Sequence, residues 1–314
     1  MKHISFTLII LSLLISSCSL PTAVAEENAE ELPPLYLGFS IHLEGWKVGN
    51  EKLGYDQDLY ERYSDLILGY SNLANSYAMP FTWETANLIA PSANFEPNIL
   101  LQLYQRGDGI GVHADLGGKS NAPGGQKKFT RDMKKMRLDM EAMGIPISHV
   151  SGICSTMDWV TAALDAGYEA TTGTVEYCLK SLPLDEQSAA IRACESPATC
   201  HDAFPGEIPD LLHPYRAADG STWTTPANEG LILFHAAGDI PCTATGCDIQ
   251  MIEEALAARE PGIFHSLFFI HSFGSPMDEE ILRTFYESIQ PYIESGDIVW
   301  QTMPQLLETY KAVE

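Results

Sequence analysis

Strand-like and helix-like segments alternate repeatedly along this chain, and this alternation limits the folds that it can adopt. Short apolar runs with the length of buried strands are followed by stretches in which apolar residues recur at helical spacing. The strand-like segments are 35–42, 80–84, 109–113, 147–153, 168–175, 230–235, 267–271 and 297–300. Alternation repeated seven or eight times predicts a parallel sheet, either as a closed (β/α) barrel or as an open doubly wound sheet.

The first predicted strand helps to decide between these two arrangements. No Gly-x-Gly-x-x-Gly follows it, so a dinucleotide-binding open sheet loses its main support. We therefore predict an α/β fold over residues 35–314, a distorted (β/α) barrel of seven or eight strands. Residues 176–229 interrupt the alternation and contain three cysteines, which predicts an insertion lying over one end of the barrel.

The first eighteen residues have the pattern of a bacterial secretion signal. A basic start precedes an apolar run over residues 4–15, which is shorter than the ~20 residues of a membrane-spanning helix and has the length of a signal h-region. The run ends in Ile-Ser-Ser-Cys, which resembles a bacterial lipobox and predicts lipid attachment at Cys18. Ala23–Ala25 offers an alternative site for ordinary signal cleavage.

The segment after this signal is acidic, rich in small residues and ends in two prolines. It predicts a flexible tether over residues 19–34 that follows a signal over residues 1–18. We therefore expect an exported protein. It would be held at the membrane of the cell envelope by the lipid, or released into the periplasm or the extracellular space.

The net charge indicates which binding partners are unfavourable, and the number of cysteines indicates the redox state of the compartment. With 18 Lys and Arg against 42 Asp and Glu, the chain is not expected to bind nucleic acid, because its field repels phosphate. Six cysteines besides Cys18 predict disulfides in an oxidising compartment. Their short spacings favour Cys194–Cys200 and Cys242–Cys247, which leaves Cys154 with Cys178. A zinc site is the weaker reading, because no Cys-x-x-Cys is present.

Histidines and carboxylates collect where the predicted strands end. His42 with Glu44, and His113 with Asp115, are pairs two residues apart, so both members of a pair can face one centre. Further histidines at or within predicted strands are His149, His235 and His271. Barrel active sites lie at the carboxyl ends of strands. Imidazole and carboxylate are ligands that zinc and related ions prefer, so the pattern predicts a divalent metal, with zinc favoured.

The order of these motifs resembles the polysaccharide deacetylase family, also known as the NodB-homology or carbohydrate esterase family 4 fold. The matching stretches are FSIHLEGW at 39–46, GDGIGVHADLG at 107–117, MDWVTAALDAGY at 157–168, FFIHSF at 268–273 and GDIVWQTMPQLLE at 296–308. The resemblance covers residues 35–312 in order and spacing. It implies a (β/α) barrel that removes acyl groups, acetyl above all, from a glycan with the help of a metal ion.

Residue roles follow from the resemblance position by position. Glu44 and His113 match metal ligands, and Asp115 is the nearest substitute for a second metal histidine, whose position falls on Gly117. His42 stands where the family has its catalytic base, and His271 matches the histidine that acts as general acid.

Two other functions remain open at this point. SGICS at 151–155 replaces the family's arginine-containing motif, and this departure favours an inactive barrel that binds glycan or serves envelope assembly. A glycoside hydrolase that uses Glu44 and Asp115 as its carboxylate pair is a further hypothesis. Trp46 and Trp83 are candidate platforms for a sugar ring, or equally two packed core residues.

Overall fold

The structure, a computed structural model, describes residues 32–43, 47–48, 51–52, 56–116, 125–201, 212–237, 247–272 and 278–314. At residues 47–48, 51–52, 247–248 and 272 the description covers the backbone only. The predicted signal and the lipid-attachment residue Cys18 lie outside these ranges, as do Glu44, Trp46 and Cys242. From Leu32 onward the chain forms one compact unit.

Parallel strands form the centre of the fold. The strands are β1 Leu35–His42, β2 Lys47–Val48, β3 Glu51–Lys52, β4 Thr82–Glu84, β5 Gly109–His113, β6 His149–Ser151, β7 Ala170–Thr172, β8 Tyr215–Ala217, β9 Leu231–Phe234, β10 His265–Ser272 and β11 Ile298–Trp300. The main sheet has the order β10-β1-β4-β5-β6-β7-β9-β8, and β11 pairs with the start of β1. Every pair in it is parallel except β8 with β9.

Helices connect these strands, as the sequence predicted. They are α1 Gln57–Ser76, α2 Ile89–Asn94, α3 Ile99–Gln105, α4 Gly125–Ala142, α5 Trp159–Ala166, α6 Ala189–Ala193, α7 Cys247–Ala257, α8 Glu279–Ser295 and α9 Met303–Val313. None of the helices in the ranges given above has the length and apolarity needed to cross a membrane. The predicted α/β class is confirmed. Over these residues the sheet is not closed, which is compatible with a distorted barrel.

The N-cap of α5 is Asp158 rather than Ser155 or Thr156, the two hydroxyl residues that precede the helix. Asp158 takes that position, because its Oδ1 accepts a hydrogen bond of 2.9 Å from the Thr161 amide. Ser155 Oγ instead accepts from the Met157 amide at 3.0 Å, so it supports the turn before the helix. Gly167 follows the last residue of the helix and lies in the left-handed region, which is typical of a helix C-cap.

The core lies between the sheet and the helices. Phe39 of β1 meets Phe81 edge to face at 5.1 Å between ring centroids and packs against Phe285 of α8. The apolar stripe of α4, formed by Phe129, Met133 and Met140 at helical spacing, is buried. Trp83 is 0% exposed, so it is a core residue and cannot serve as a platform for a sugar.

The segment 176–229 is part of the sheet rather than only a cover for one end. Its strand β8 pairs antiparallel with β9 and forms an edge of the main sheet. One predicted disulfide, Cys194–Cys200, lies within the segment, and another, Cys154–Cys178, links its start to the residues after β6. The third predicted pair, Cys242–Cys247, lies outside the described side chains.

Loop length predicts unequal contributions of the two disulfides to stability. Cys154–Cys178 spans 24 residues and Cys194–Cys200 spans 6. A longer closed loop removes more entropy from the unfolded chain, so replacing both cysteines of the first pair by alanine is expected to cost about 3 kcal/mol, and of the second about 2 kcal/mol. Denaturant unfolding without reductant measures both values. Equal losses, or a larger loss for the Cys194–Cys200 pair, would contradict this ranking.

Candidate metal centre

Glu84, the last residue of β4, is a fully buried carboxylate. Three hydroxyl groups donate to it. Ser40 reaches Oε1 at 2.8 Å, Thr172 reaches Oε1 at 3.0 Å, and Ser151 donates to Oε2. These hydroxyls come from β1, β7 and β6, so the parallel sheet brings residues far apart in sequence to one carboxylate. Burying a carboxylate without such partners would cost several kcal/mol.

Three imidazoles surround this carboxylate. His42 Nε2 lies 3.0 Å from Glu84 Oε2, and His149 Nε2 lies 3.4 Å from Oε1. His113 Nδ1 is 2.9 Å from Ser151 Oγ, and its ring is 4.0 Å from that of His42 between centroids. Burial alone would raise the pKa of Glu84, but hydrogen bonds and charge from His149 and His42 outweigh it and hold that pKa well below its usual range. Glu84 is therefore an anion at neutral pH.

The donor set suits a divalent metal ion. The ligand atoms of His42, Glu84 and His113 all lie within 4.8 Å of one another, and all three residues are buried. Two imidazoles with one carboxylate is a set found at zinc and related ions. The hydroxyl groups of Ser40 and Thr172 hold Glu84 Oε1, and Ser151 orients the ring of His113, which is how outer partners fix metal ligands. A His-Glu-His group with this support fits a metal ion.

Two glycines allow the histidines to pack this closely. A Cβ on Gly111 would lie 2.1 Å from His149 Nε2, so any side chain there collides with the ring. A Cβ on Gly152 would lie 2.8 Å from His113 Cε1, and Gly152 has a φ of +67°. Both positions therefore need glycine.

The predicted site residues are only partly brought together. His42 and His113 meet at the cluster, but its carboxylate is Glu84, which none of the sequence motifs indicated. Asp115 is exposed, has a φ of 45° and does not belong to the three-residue group. Glu44 lies outside the described residues, so its role as a ligand stays a prediction.

The strand register separates His271 from the cluster. Along β1 and β10 the pairing is unbroken, with His271 opposite Ile41 and Ser272 opposite His42. Side chains alternate between the two faces of a sheet, and residues in register on parallel strands share a face. Ile41 belongs to the main apolar core, so His271 faces that core and not the face that carries His42. This register argues against the general-acid role that the resemblance implied for His271.

His235, which follows β9, forms a separate polar contact. Its Nδ1 is 2.6 Å from Thr174 Oγ1, and its ring packs against Tyr215 with centroids 5.4 Å apart. Burial lowers the pKa of His235 to about 4, so the ring is neutral at physiological pH. It therefore supplies a hydrogen-bonding group rather than a charge.

Comparison with known proteins supports the fold assignment through solved structures alone. No protein-family model and no curated protein sequence matches the chain. A crystal structure of a candidate polysaccharide deacetylase from Mycobacterium smegmatis superposes with a TM-score of 0.52 at 14% identity, covering 90% of this chain and 96% of that one. The chain has a polysaccharide deacetylase-like fold.

A second solved structure is a 4-alpha-glucanotransferase from Thermococcus litoralis, with a TM-score of 0.49 and 14% identity over 88% of this chain and 38% of that one. The Mycobacterium smegmatis structure confirms, at the level of the fold, the resemblance seen in the sequence motifs. Within this deacetylase-like fold, the His-Glu-His group lies at the carboxyl ends of β1, β4 and β5, the edge at which barrel active sites form.

Replacing Glu84 by glutamine tests whether this carboxylate stabilises the fold. The variant leaves His42 and His149 without their anion and gives the hydroxyl groups a weaker acceptor, so it should lose about 3 kcal/mol or more of unfolding free energy in metal-free protein. The exposed Glu61→Gln, on α1, is the matched control and should change stability by less than about 0.5 kcal/mol. Urea unfolding at pH 7 measures both. A loss below about 1 kcal/mol for Glu84→Gln would contradict the assigned network.

The lowered pKa of His235 predicts that the folded protein loses stability as the pH falls. Its folded pKa, about 4, is lower than the ordinary value of 6.5, so the unfolded chain binds a proton between these values and the folded chain does not. The contribution is fully present above pH 6.5 and falls as the pH drops towards 4, by at most about 3 kcal/mol.

The variant His235→Gln should therefore show a shallower fall in unfolding free energy from pH 6.5 to pH 4 than the wild type. Urea titrations at several pH values measure the slopes. The exposed His201→Gln serves as control and should keep the wild-type slope. Equal slopes for His235→Gln and wild type would refute the assignment.

Proposed function

We propose that this protein is an exported, metal-dependent hydrolase that removes acyl groups, acetyl above all, from a glycan outside the cytoplasm. The observation that carries the proposal is the His42, Glu84 and His113 group at the carboxyl edge of a deacetylase-like fold. Fold alone does not determine function, so the donor set is the stronger part of the argument.

His42, Glu84 and His113 would hold the ion, with zinc favoured. When bound, such an ion would polarise the acyl carbonyl and acidify water. The protein keeps its ligands in place through hydrogen bonds: Ser40 and Thr172 fix one oxygen of Glu84, and Ser151 fixes the ring of His113 at Nδ1.

Access to the cluster is one-sided. His42 and His113 keep 6% and 7% of their surface exposed, whereas Glu84 and His149 keep none. A glycan acyl group would therefore approach from the side on which these two buried imidazoles keep some contact with solvent. His149 Nε2, 3.4 Å from Glu84 Oε1 on the closed side, would hold a proton towards this oxygen and keep the carboxylate ionised.

The proposed location rests on the sequence and the disulfides. The predicted signal, the lipid-attachment residue Cys18 and the tether over 19–34 would place the barrel at the cell envelope, within reach of a glycan. Two disulfides in the folded chain support an oxidising compartment.

A second function from another class is also supported by one observation. The carboxylate of Glu84 already accepts hydrogen bonds from three hydroxyl groups and contacts two imidazoles, which is how a closed structural network is built. In that case the protein would be an inactive deacetylase-like barrel that binds glycan or serves envelope assembly. Metal binding separates the two functions.

The decisive test is thermal unfolding of chelator-treated protein with added zinc, cobalt or nickel. Wild-type protein should gain about 5 °C in melting temperature at an ion concentration near 100 times the Kd. His42→Ala and His113→Ala should each lose this gain, while the exposed His201→Ala should keep it. His271→Gln should also keep it, because that residue faces the core.

Turnover is measured as acetate released from an acetylated glycan. It should require the added ion and disappear in His113→Ala. No stabilisation by any of the three ions, together with no acetate release, would contradict the hydrolase and favour the inactive barrel.

A further inference from the structure

The helix α4 differs in charge from the rest of this acidic chain. It holds six of the 18 Lys and Arg residues and three of the 42 Asp and Glu residues, so it carries a net charge of +3. The remaining chain then carries −27, since the whole carries −24. Because the rest of the chain is acidic, an anion would be attracted to the basic helix α4.

Ion pairs within the helix use only part of this charge. Lys128 pairs with Asp132, Lys135 with Asp139, and Arg137 with Glu141. Such exposed pairs at helical spacing are common and neutralise these three cations locally. The cations outside these three i, i+4 pairs are Lys127, Arg131 and Lys134.

These three cations form one row, here called the basic row. Lys127, Arg131 and Lys134 follow each other at four and three residues, so they lie on one side of α4 about one helical turn, or ~5 Å, apart. All three are exposed, and the Arg131 side chain, 71% exposed, shares Asp132 with Lys128. The row is straight and points into solvent.

Contacts with α5 show that the row begins at the edge of the candidate site. Gln126 donates to the backbone oxygen of Asp158, the N-cap of α5, at 2.6 Å, and Arg137 donates to Ala166, the last residue of α5, at 2.8 Å. The two helices therefore run side by side in the same direction. Because α5 follows β6, its first turn lies at the edge where His113 and Ser151 meet.

We propose that the basic row binds the chain of an acidic polysaccharide, whose carboxylates lie at regular intervals, as it leaves the His42, Glu84 and His113 group. The inference deepens the proposed function, on which it rests, by naming an acidic glycan as the substrate class. The negative charge elsewhere repels such a chain, so α4 would set its direction.

The shape of the row favours a glycan over a membrane. A helix that lies in a lipid surface presents a broad apolar face beside its basic residues. On this side of α4 the one large apolar residue is Leu138, 46% exposed, one turn beyond Lys134. A single row of cations matches a linear polyanion rather than a plane of head groups.

Calorimetry with a purified galacturonate oligomer of about ten sugars tests the inference, with a neutral glucose oligomer of equal length as the ligand control. The protein is the metal-free wild type, so binding is read without turnover and can hold or fail independently of the hydrolase activity. The galacturonate oligomer should bind, and more weakly as salt rises, while the neutral oligomer should not.

Two variants with the same loss of charge locate the binding. The combined Lys127→Gln, Arg131→Gln and Lys134→Gln variant should bind roughly tenfold more weakly, since each exposed contact is modest. The matched control replaces the exposed residues Arg62, Arg106 and Arg283, on or next to three other helices, by glutamine and should change the affinity by less than about twofold.

Three results would overturn the proposal. They are no binding of the galacturonate oligomer by wild-type protein, an equal loss in both triple variants, and binding to anionic phospholipid vesicles or DNA that depends on the basic row while the oligomer fails to bind. In each case, ion-dependent acetate release would still decide the hydrolase separately.

Discussion

The buried carboxylate of Glu84 is the constraint on which the rest of the candidate site depends. A carboxylate buried away from solvent needs hydrogen-bond donors from the protein. Here the donors are hydroxyl groups on β1, β6 and β7, which surround the end of β4. Each strand has to be in one register for its hydroxyl or imidazole group to reach the carboxylate. The network therefore fixes the sheet locally and holds His42 and His113 near each other at the same time.

This arrangement links fold and chemistry through ordinary sheet geometry. Parallel strands end at one edge, and side chains two residues apart share a face, so Ser40 and His42 both reach Glu84. Gly111 and Gly152 leave room for the rings of His149 and His113. The same principle turns His271 towards the core, because it lies in register with Ile41.

Local patterns in the sequence were sufficient to predict most of the fold. The strand predicted at 109–113 is β5, and the apolar stripe of α4 is buried, because strand and helix periodicities depend on neighbouring residues only. The Cys194–Cys200 disulfide followed from its short spacing, and Cys154–Cys178 was the pair that the two short-spaced pairs left over. Glu84 was missed because its partners are set by pairing between strands far apart in sequence. The signal that could have found it is a carboxylate at the end of the predicted strand 80–84, level with the strand that ends at His42.

The proposed function requires Glu84, His42 and His113 to bind one ion together. Anomalous diffraction from crystals grown with zinc and measured at the zinc absorption edge tests it directly. One strong peak is expected within bonding distance of a carboxylate oxygen of Glu84 and of a nitrogen of each of these two histidines. Zinc bound at Asp115 or elsewhere, with His42 and Ser151 still hydrogen-bonded to Glu84 and no ion among them, would contradict it.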